Sequence, residues 1–354
     1  MRNGSIAANL ASMTPAIFGL SGPVLTDDER AFFRESDPAG YVLFGRNVEN
    51  RTRLRALTDS LRDIHGRERL FISIDQEGGR VARMKPPEWR AFPPAAVFDR
   101  LYDLAPASAI EAARANGHAL GLDLAEAGIT VDYTPLLDVR QDGAHDVIGD
   151  RALGHDPLRV AALGRAVLQG LERAGIAGCI KHMPGHGRAG ADSHKELPVV
   201  TASAQALESD LAAFRPLADT PLGMTAHVRY TAWDSDNPAT QSARVIEDII
   251  RGSIGFSGLL LTDDLDMQAL SGTVPERAVR ALEAGCEIAL NCWAKMDDME
   301  GIAACLPAMS DTVRAKLDRA LAVTGAVAGK AAAGEQADLL AKRDALLALV
   351  EQTA

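Results

Sequence analysis

A chain of 354 residues can form one large domain or two ordinary ones, and 47% hydrophobic against 24% charged residues is ordinary for a globular protein. Its 37 basic and 48 acidic residues leave a net charge of −11, which counts against a nucleic-acid or anionic-membrane partner, because both need a basic face. No run reaches the roughly 18 apolar residues of a membrane span, and Met1-Arg2-Asn3-Gly4-Ser5-Ile6 begins no sustained apolar core of an export signal, so a cytoplasmic location is expected.

In chain order, short apolar runs predict strands over 16–20 and 41–44, a helix over 51–64 and a strand over 70–74. A helix over 111–127 leads to a strand over 130–136, and a helix over 158–174 leads to a strand over 177–182. Helices over 202–217, 242–253 and 275–284 then alternate with strands over 222–227, 259–262 and 287–291. Gly128, Gly175 and Gly285 follow three of these helices, where a left-handed cap is least strained. Helices over 311–322 and 337–350, with an Ala/Gly-rich linker over 324–335, complete the chain.

Eight strands interleaved with helices predict an α/β fold, a single (β/α)8 TIM-type barrel over 1–308. A C-terminal helical extension over 309–354 packs on it or trails from it. A doubly wound open sheet is the competing arrangement, but Gly19 and Gly22 do not supply the G-x-G-x-x-G turn expected after its first strand. Polar residues end the predicted strands: Asp75, Asp138, Lys181 with His182, His227, Asp263 with Asp264, and Asn291. In a barrel those ends converge on one face; in an open sheet they spread along an edge. Cys179, Cys286, Cys292 and Cys305 form no C-x-x-C pair, so neither a disulfide framework nor a cysteine metal site is expected.

Three segments carry the chemistry. Lys181-His182-Met183-Pro184-Gly185-His186-Gly187-Arg188 leaves a strand and runs into a glycine-rich loop that reaches Asp192-Ser193-His194; such a loop is expected to be mobile. Asp192 could hold one imidazole nitrogen of His194 and leave the other free to move a proton. His182 and His186 stand four apart, but Pro184 and Gly185 between them argue against the rigid helix of a zincin, and no metal is expected. Leu261-Thr262-Asp263-Asp264-Leu265-Asp266 ends a buried strand in carboxylates, which is costly unless they are paired. One carboxylate facing the pocket and one turned to backbone amides would satisfy this, the first as nucleophile, general base or metal ligand with Asp75. Asp75-Gln76-Glu77-Gly78-Gly79-Arg80-Val81-Ala82-Arg83 has a Gly-Gly turn that can bring arginines back to Asp75, a set suited to sugar hydroxyls. For Arg80 a structural salt bridge is the expected role.

Together these segments resemble the bacterial β-N-acetylglucosaminidases of glycoside hydrolase family 3. The family pattern K-H-F-P-G-H-G followed by D-S-H is present with Met183 in place of Phe, S/T-D-D-L-x-M is Thr262 to Met267, and D-Q-E-G-G-R-V-x-R is complete from Asp75 to Arg83. Also similar are Phe44-Gly45-Arg46-Asn47, Ile148-Gly149-Asp150-Arg151 and Met224-Thr225-Ala226-His227. The resemblance implies that Asp263 is the nucleophile of a retaining reaction and His194 the general acid/base oriented by Asp192. It further implies that Asp75, Arg83, Arg151, Lys181 and His182 hold the N-acetylglucosamine ring. It points to muropeptide fragments as substrates in peptidoglycan recycling, with no cofactor and a monomeric enzyme. The family's β-glucosidases commonly carry a second sheet domain, for which the roughly 60 residues after the last strand are too few.

Overall fold

The computed structural model describes residues 13–141, 143, 145–324 and 334–351. Eight parallel strands close into a barrel: β1 (Thr14–Gly19), β2 (Pro38–Leu43), β3 (Phe71–Ile74), β4 (Val131–Asp132), β5 (Ala177–Met183), β6 (Leu222–Thr225), β7 (Leu259–Asp264) and β8 (Ile288–Asn291). Each neighbours its successor, and β8 returns to pair with β1, so the sheet has no open edge. All eight strands predicted from the apolar runs are present. β4 is shorter than its apolar run because Thr134 turns its N–H onto the Asp132 carbonyl and Pro135 has none to donate; Cys179 N–H still reaches the Thr134 carbonyl at 3.0 Å, and a bridge joins Leu136 to Lys181. β7 is longer and carries Asp263 and Asp264 inside the ladder.

Alternation sorts each strand's side chains. Ile17, Val42, Phe71, Cys179 and Leu261 point into the barrel, where they form one buried cluster. Their neighbours Phe18, Tyr41, Ile72, Ile180 and Leu260 face the surrounding helices in a second cluster. Burying each such side chain contributes roughly 1.5–3 kcal/mol. Gly128 and Gly175 follow their helices at φ +77°, the left-handed turn expected of them.

The predicted helices form, the one after β6 as a π-helix over Val245–Ile254. Three more, Asp27–Ser36, Ala96–Leu104 and Met296–Cys305, fill intervals that the apolar pattern left blank. The first is started by a capping box: Glu29 N–H bonds Thr26 Oγ1 at 3.1 Å, and Thr26 N–H bonds Glu29 Oε2 at 2.8 Å.

Two helices of the C-terminal extension pack on the barrel. Asp311–Ala320 sends Leu317 and Ala320 into the interior cluster beside Met13, at the N-terminal ends of the strands. Glu335–Glu351 lies along Pro106–Glu126, where Arg343 Nη1 bonds Asn116 Oδ1 at 3.1 Å. Most of the predicted linker over 324–335 lies outside the described residues. Cys179, Cys286 and Cys292 are buried thiols and Cys305 an exposed one. Among the described residues no helix is long and apolar enough to cross a membrane.

Candidate active site

The C-terminal ends of the strands surround a cavity of about 320 Å³. That size lies near the lower end of small-ligand sites, roughly 300–1,000 Å³. Its floor includes Tyr133, Met224, Leu290 and Cys292. The eight residues to which the resemblance gives roles line it: Asp75, Arg83, Arg151, Lys181, His182, Asp192, His194 and Asp263; of the strand-end polar residues, Asp138, His227 and Asn291 lie behind it.

Charge in the cavity is arranged in two groups. On the β3–β5 side, Lys181 Nζ lies 2.9 Å from Asp75 Oδ1 and 2.8 Å from Glu77 Oε1. Arg83 Nη2 reaches the other Asp75 oxygen at 3.3 Å, and Arg151 forms two 2.8 Å bonds with the Glu77 carboxylate. Burial pushes both carboxylates toward the neutral form, but Lys181 and the arginines outweigh it, so Asp75 and Glu77 lie below the usual carboxylate range. Glu77 is a residue that the sequence reading did not assign. Its partners are 74 and 104 positions away (Arg151 and Lys181), so spacing gave no sign of it, although it sits inside the Asp75–Arg83 motif. Arg80 also lines the cavity and makes the expected salt bridge, its Nε 3.0 Å from Asp150 Oδ1, and it braces the loop that carries Arg151.

On the β7 side, Asp263 Oδ1 accepts the Asp264 N–H at 2.8 Å. Burial raises its pKa, but His182, His227, that N–H and Lys181 together bring it down to about 2. Asp263 is therefore an anion at any physiological pH. The division of labour expected within Thr262–Met267 is different in detail. Asp264 also lines the cavity, and Asp266 is the carboxylate turned to backbone amides: its Oδ2 accepts from Cys292 N–H at 3.0 Å, Trp293 N–H at 3.2 Å and Asn291 Nδ2 at 2.8 Å. Burial and the neighbouring Asp266 push Asp264 well above the usual range. His227 is fully buried behind the strand end, with Nε2 2.9 Å from the Asp264 carbonyl oxygen.

The loop after β5 departs from the expectation of mobility in its first half. A Cβ on Gly187 would lie 1.9 Å from the Val139 carbonyl oxygen, so this glycine serves close approach of two backbones. Tyr230 Oη bonds the Gly185 carbonyl at 2.6 Å, and Arg188 Nε bonds the buried Asp210 at 2.7 Å. Asp138, fully buried, accepts the His186 N–H at 2.6 Å and lies 2.8 Å from His182 Nδ1. Its pKa is held down by His182 and His186 against the effect of burial. An ionised Asp138 can only accept, so the His182 Nδ1 carries hydrogen.

Beyond this fastened half, Asp192 and His194 stand at the mouth. Asp192 Oδ1 takes the His194 N–H at 3.0 Å and lies 2.9 Å from its Nδ1. Burial acts upward on Asp192, and the bonds from His194 prevail, leaving it below the usual range. Nδ1 therefore donates, and Nε2 is left to exchange a proton; the ring is 67% exposed. Among the described residues no cluster of three or more His, Cys, Asp or Glu side chains could hold a metal ion.

The chain matches the family model described as the glycosyl hydrolase family 3 N-terminal domain over residues 19–323. It belongs to glycosyl hydrolase family 3. This family 3 chain is 40% identical over 283 residues to a beta-hexosaminidase of Bordetella avium, covering 78% of this chain and 80% of the relative. A beta-hexosaminidase of Chromobacterium violaceum is 38% identical over 335 residues, covering 93% and 91%. Among solved structures, NagZ from Neisseria gonorrhoeae in complex with N-trifluoroacetyl-D-glucosamine superposes with a TM-score of 0.83 at 30% identity, over 96% of this chain and 98% of that one. The family 3 chain is a glycoside hydrolase of the β-N-acetylhexosaminidase class.

Proposed function

We propose that this family 3 enzyme is a retaining exo-β-N-acetylglucosaminidase that removes terminal β-linked N-acetylglucosamine from muropeptides during cell-wall recycling in the cytoplasm. It acts as a monomer and needs no cofactor. Asp263 attacks the anomeric carbon while His194 Nε2 gives its proton to the leaving oxygen, forming a glycosyl-enzyme ester and the free aglycone. His194, now neutral, takes a proton from water, which attacks the same carbon and releases sugar and carboxylate. Asp192 keeps the imidazole in the tautomer this requires. Asp75, Arg83, Arg151, Lys181 and His182 hold the sugar ring.

The observation that carries this reading is a single cavity holding an ionised carboxylate, Asp263, and an imidazole oriented by a second carboxylate, Asp192. A nucleophile must be charged and a proton donor must be oriented, and two different electrostatic surroundings supply these conditions. The buried cations and carboxylates opposite offer donors and acceptors together, which suits a ring with hydroxyls and an acetamido group. The relatives named as beta-hexosaminidases and as NagZ support the choice of sugar.

The test is the reaction with N-acetylglucosaminyl-anhydro-N-acetylmuramic acid followed by proton NMR. N-acetylglucosamine is expected to appear first as the β anomer. An initial α anomer would contradict retention, and cleavage of the matching glucoside alone would contradict the substrate.

A further inference from the structure

Ser193 stands between the two residues assigned above to proton transfer, and its environment is unlike theirs. It is 3% exposed, whereas the His194 side chain is 67% exposed. Its hydroxyl lies 3.3 Å from His186 Nε2, and its carbonyl takes the Ala269 N–H at 3.3 Å. His186 belongs to the fastened half of the loop: its N–H is on Asp138, its carbonyl takes the Ala189 N–H at 3.1 Å, and its ring stands edge-on to His182. The ring is buried, and its Nδ1 has no partner among the described residues. The Ser193 hydroxyl therefore satisfies the one side-chain nitrogen of His186 that is satisfied. A buried imidazole without it would hold two unmatched nitrogens, so the loop has one position in which this desolvated ring is served.

We propose that Ser193 and His186 form a positioning pair that sets the height of the Asp192–His194 dyad over Asp263. Both line the cavity, and the role assigned to them is to position the dyad, with no part in proton transfer. Successive Cα atoms are about 3.8 Å apart, so fixing Ser193 fixes the backbone of both dyad members to within a bond or two. The proposal rests on the proton-transfer role given to His194, and it makes Ser193 act through that residue alone.

Substrates with different leaving groups separate this from a merely structural role. Ser193→Ala is expected to lower kcat/KM for the disaccharide by about tenfold or more, and for a dinitrophenyl glycoside, whose leaving group needs no proton, by less than about twofold. Ser193→Thr, which keeps the hydroxyl, restores most of the loss. In a His194→Ala background, Ser193→Ala adds no further loss on the disaccharide, because the residue it acts through is already gone. Equal losses on the two substrates, or losses that multiply in the double variant, overturn the proposal. The role of His194 fails in a different way, with His194→Ala alone slowing both substrates alike. Should Ser193→Ala not fold, Ser193→Cys, nearly isosteric and a weaker hydrogen-bonding partner, carries the same comparison.

Discussion

Individual side chains in this cavity are defined less by their type than by their surroundings. Three aspartates within four positions have three different conditions: Asp263 is held at about 2, Asp264 is pushed up, and Asp266 is consumed by backbone amides. His186 illustrates the same point with a consequence for stability. Burial, then the nearby His182, lower its pKa from an ordinary 6.5 to about 4, with Asp138 opposing. As pH falls below 6.5 the unfolded chain takes a proton on this imidazole, while the folded chain does not until about 4. The unfolded state therefore binds more protons within that window, and the fold loses stability as pH falls through it. The effect is on the order of 3 kcal/mol between the two pH limits. Urea unfolding from pH 7 to 4 is expected to show wild type losing more stability than His186→Gln by about this amount; parallel losses would contradict the buried, neutral imidazole.

Among the elements, the loop after β5 is the most instructive. Its glycines read from sequence as a sign of mobility, yet Gly187 is a contact point: an added methyl group meets the Val139 carbonyl, and one backbone would have to shift. Gly190, by contrast, has open space within 4 Å of an added Cβ. Gly187→Ala is expected to cost about 1–3 kcal/mol of stability and to slow cleavage of poor leaving groups by displacing the dyad, whereas Gly190→Ala should change stability by less than about 1 kcal/mol. Thermal melts with disaccharide kinetics check both. The difference between these two glycines could not be read from sequence, because it depends on a neighbour nearly fifty positions earlier in the chain. The strands themselves were legible, since an apolar run bounded by a polar residue is a direct record of a buried strand leaving the barrel. β4 was overestimated because Thr134 and Pro135 give its ladder no N–H, and the helix Asp27–Ser36 was missed because a capping box starts it with few apolar residues to mark it.

For the molecule as a whole, closing the sheet is what gathers residues from 75 to 263 into one cavity, and the strand-end pattern made that gathering foreseeable. The supporting residues were less so. Asp138 was visible at a strand end but its partners were not, and Glu77 and Asp266 likewise bond groups distant in sequence, contacts that leave no periodic trace. The barrel and its cavity-lining groups are thus legible from pattern, whereas the network of buried carboxylates is displayed only by the folded chain. The chemistry proposed for this cavity depends on a bond between the Asp263 carboxylate and sugar carbon. Incubation with a 5-fluoro-N-acetylglucosaminyl fluoride, followed by proteolysis and mass spectrometry, tests this most directly. A fluorosugar ester is expected on the peptide containing Asp263 and none in Asp263→Asn; a label carried by Asp264 or Asp75, or equal inactivation of the Asp263→Asn variant, would rule out Asp263 as the nucleophile.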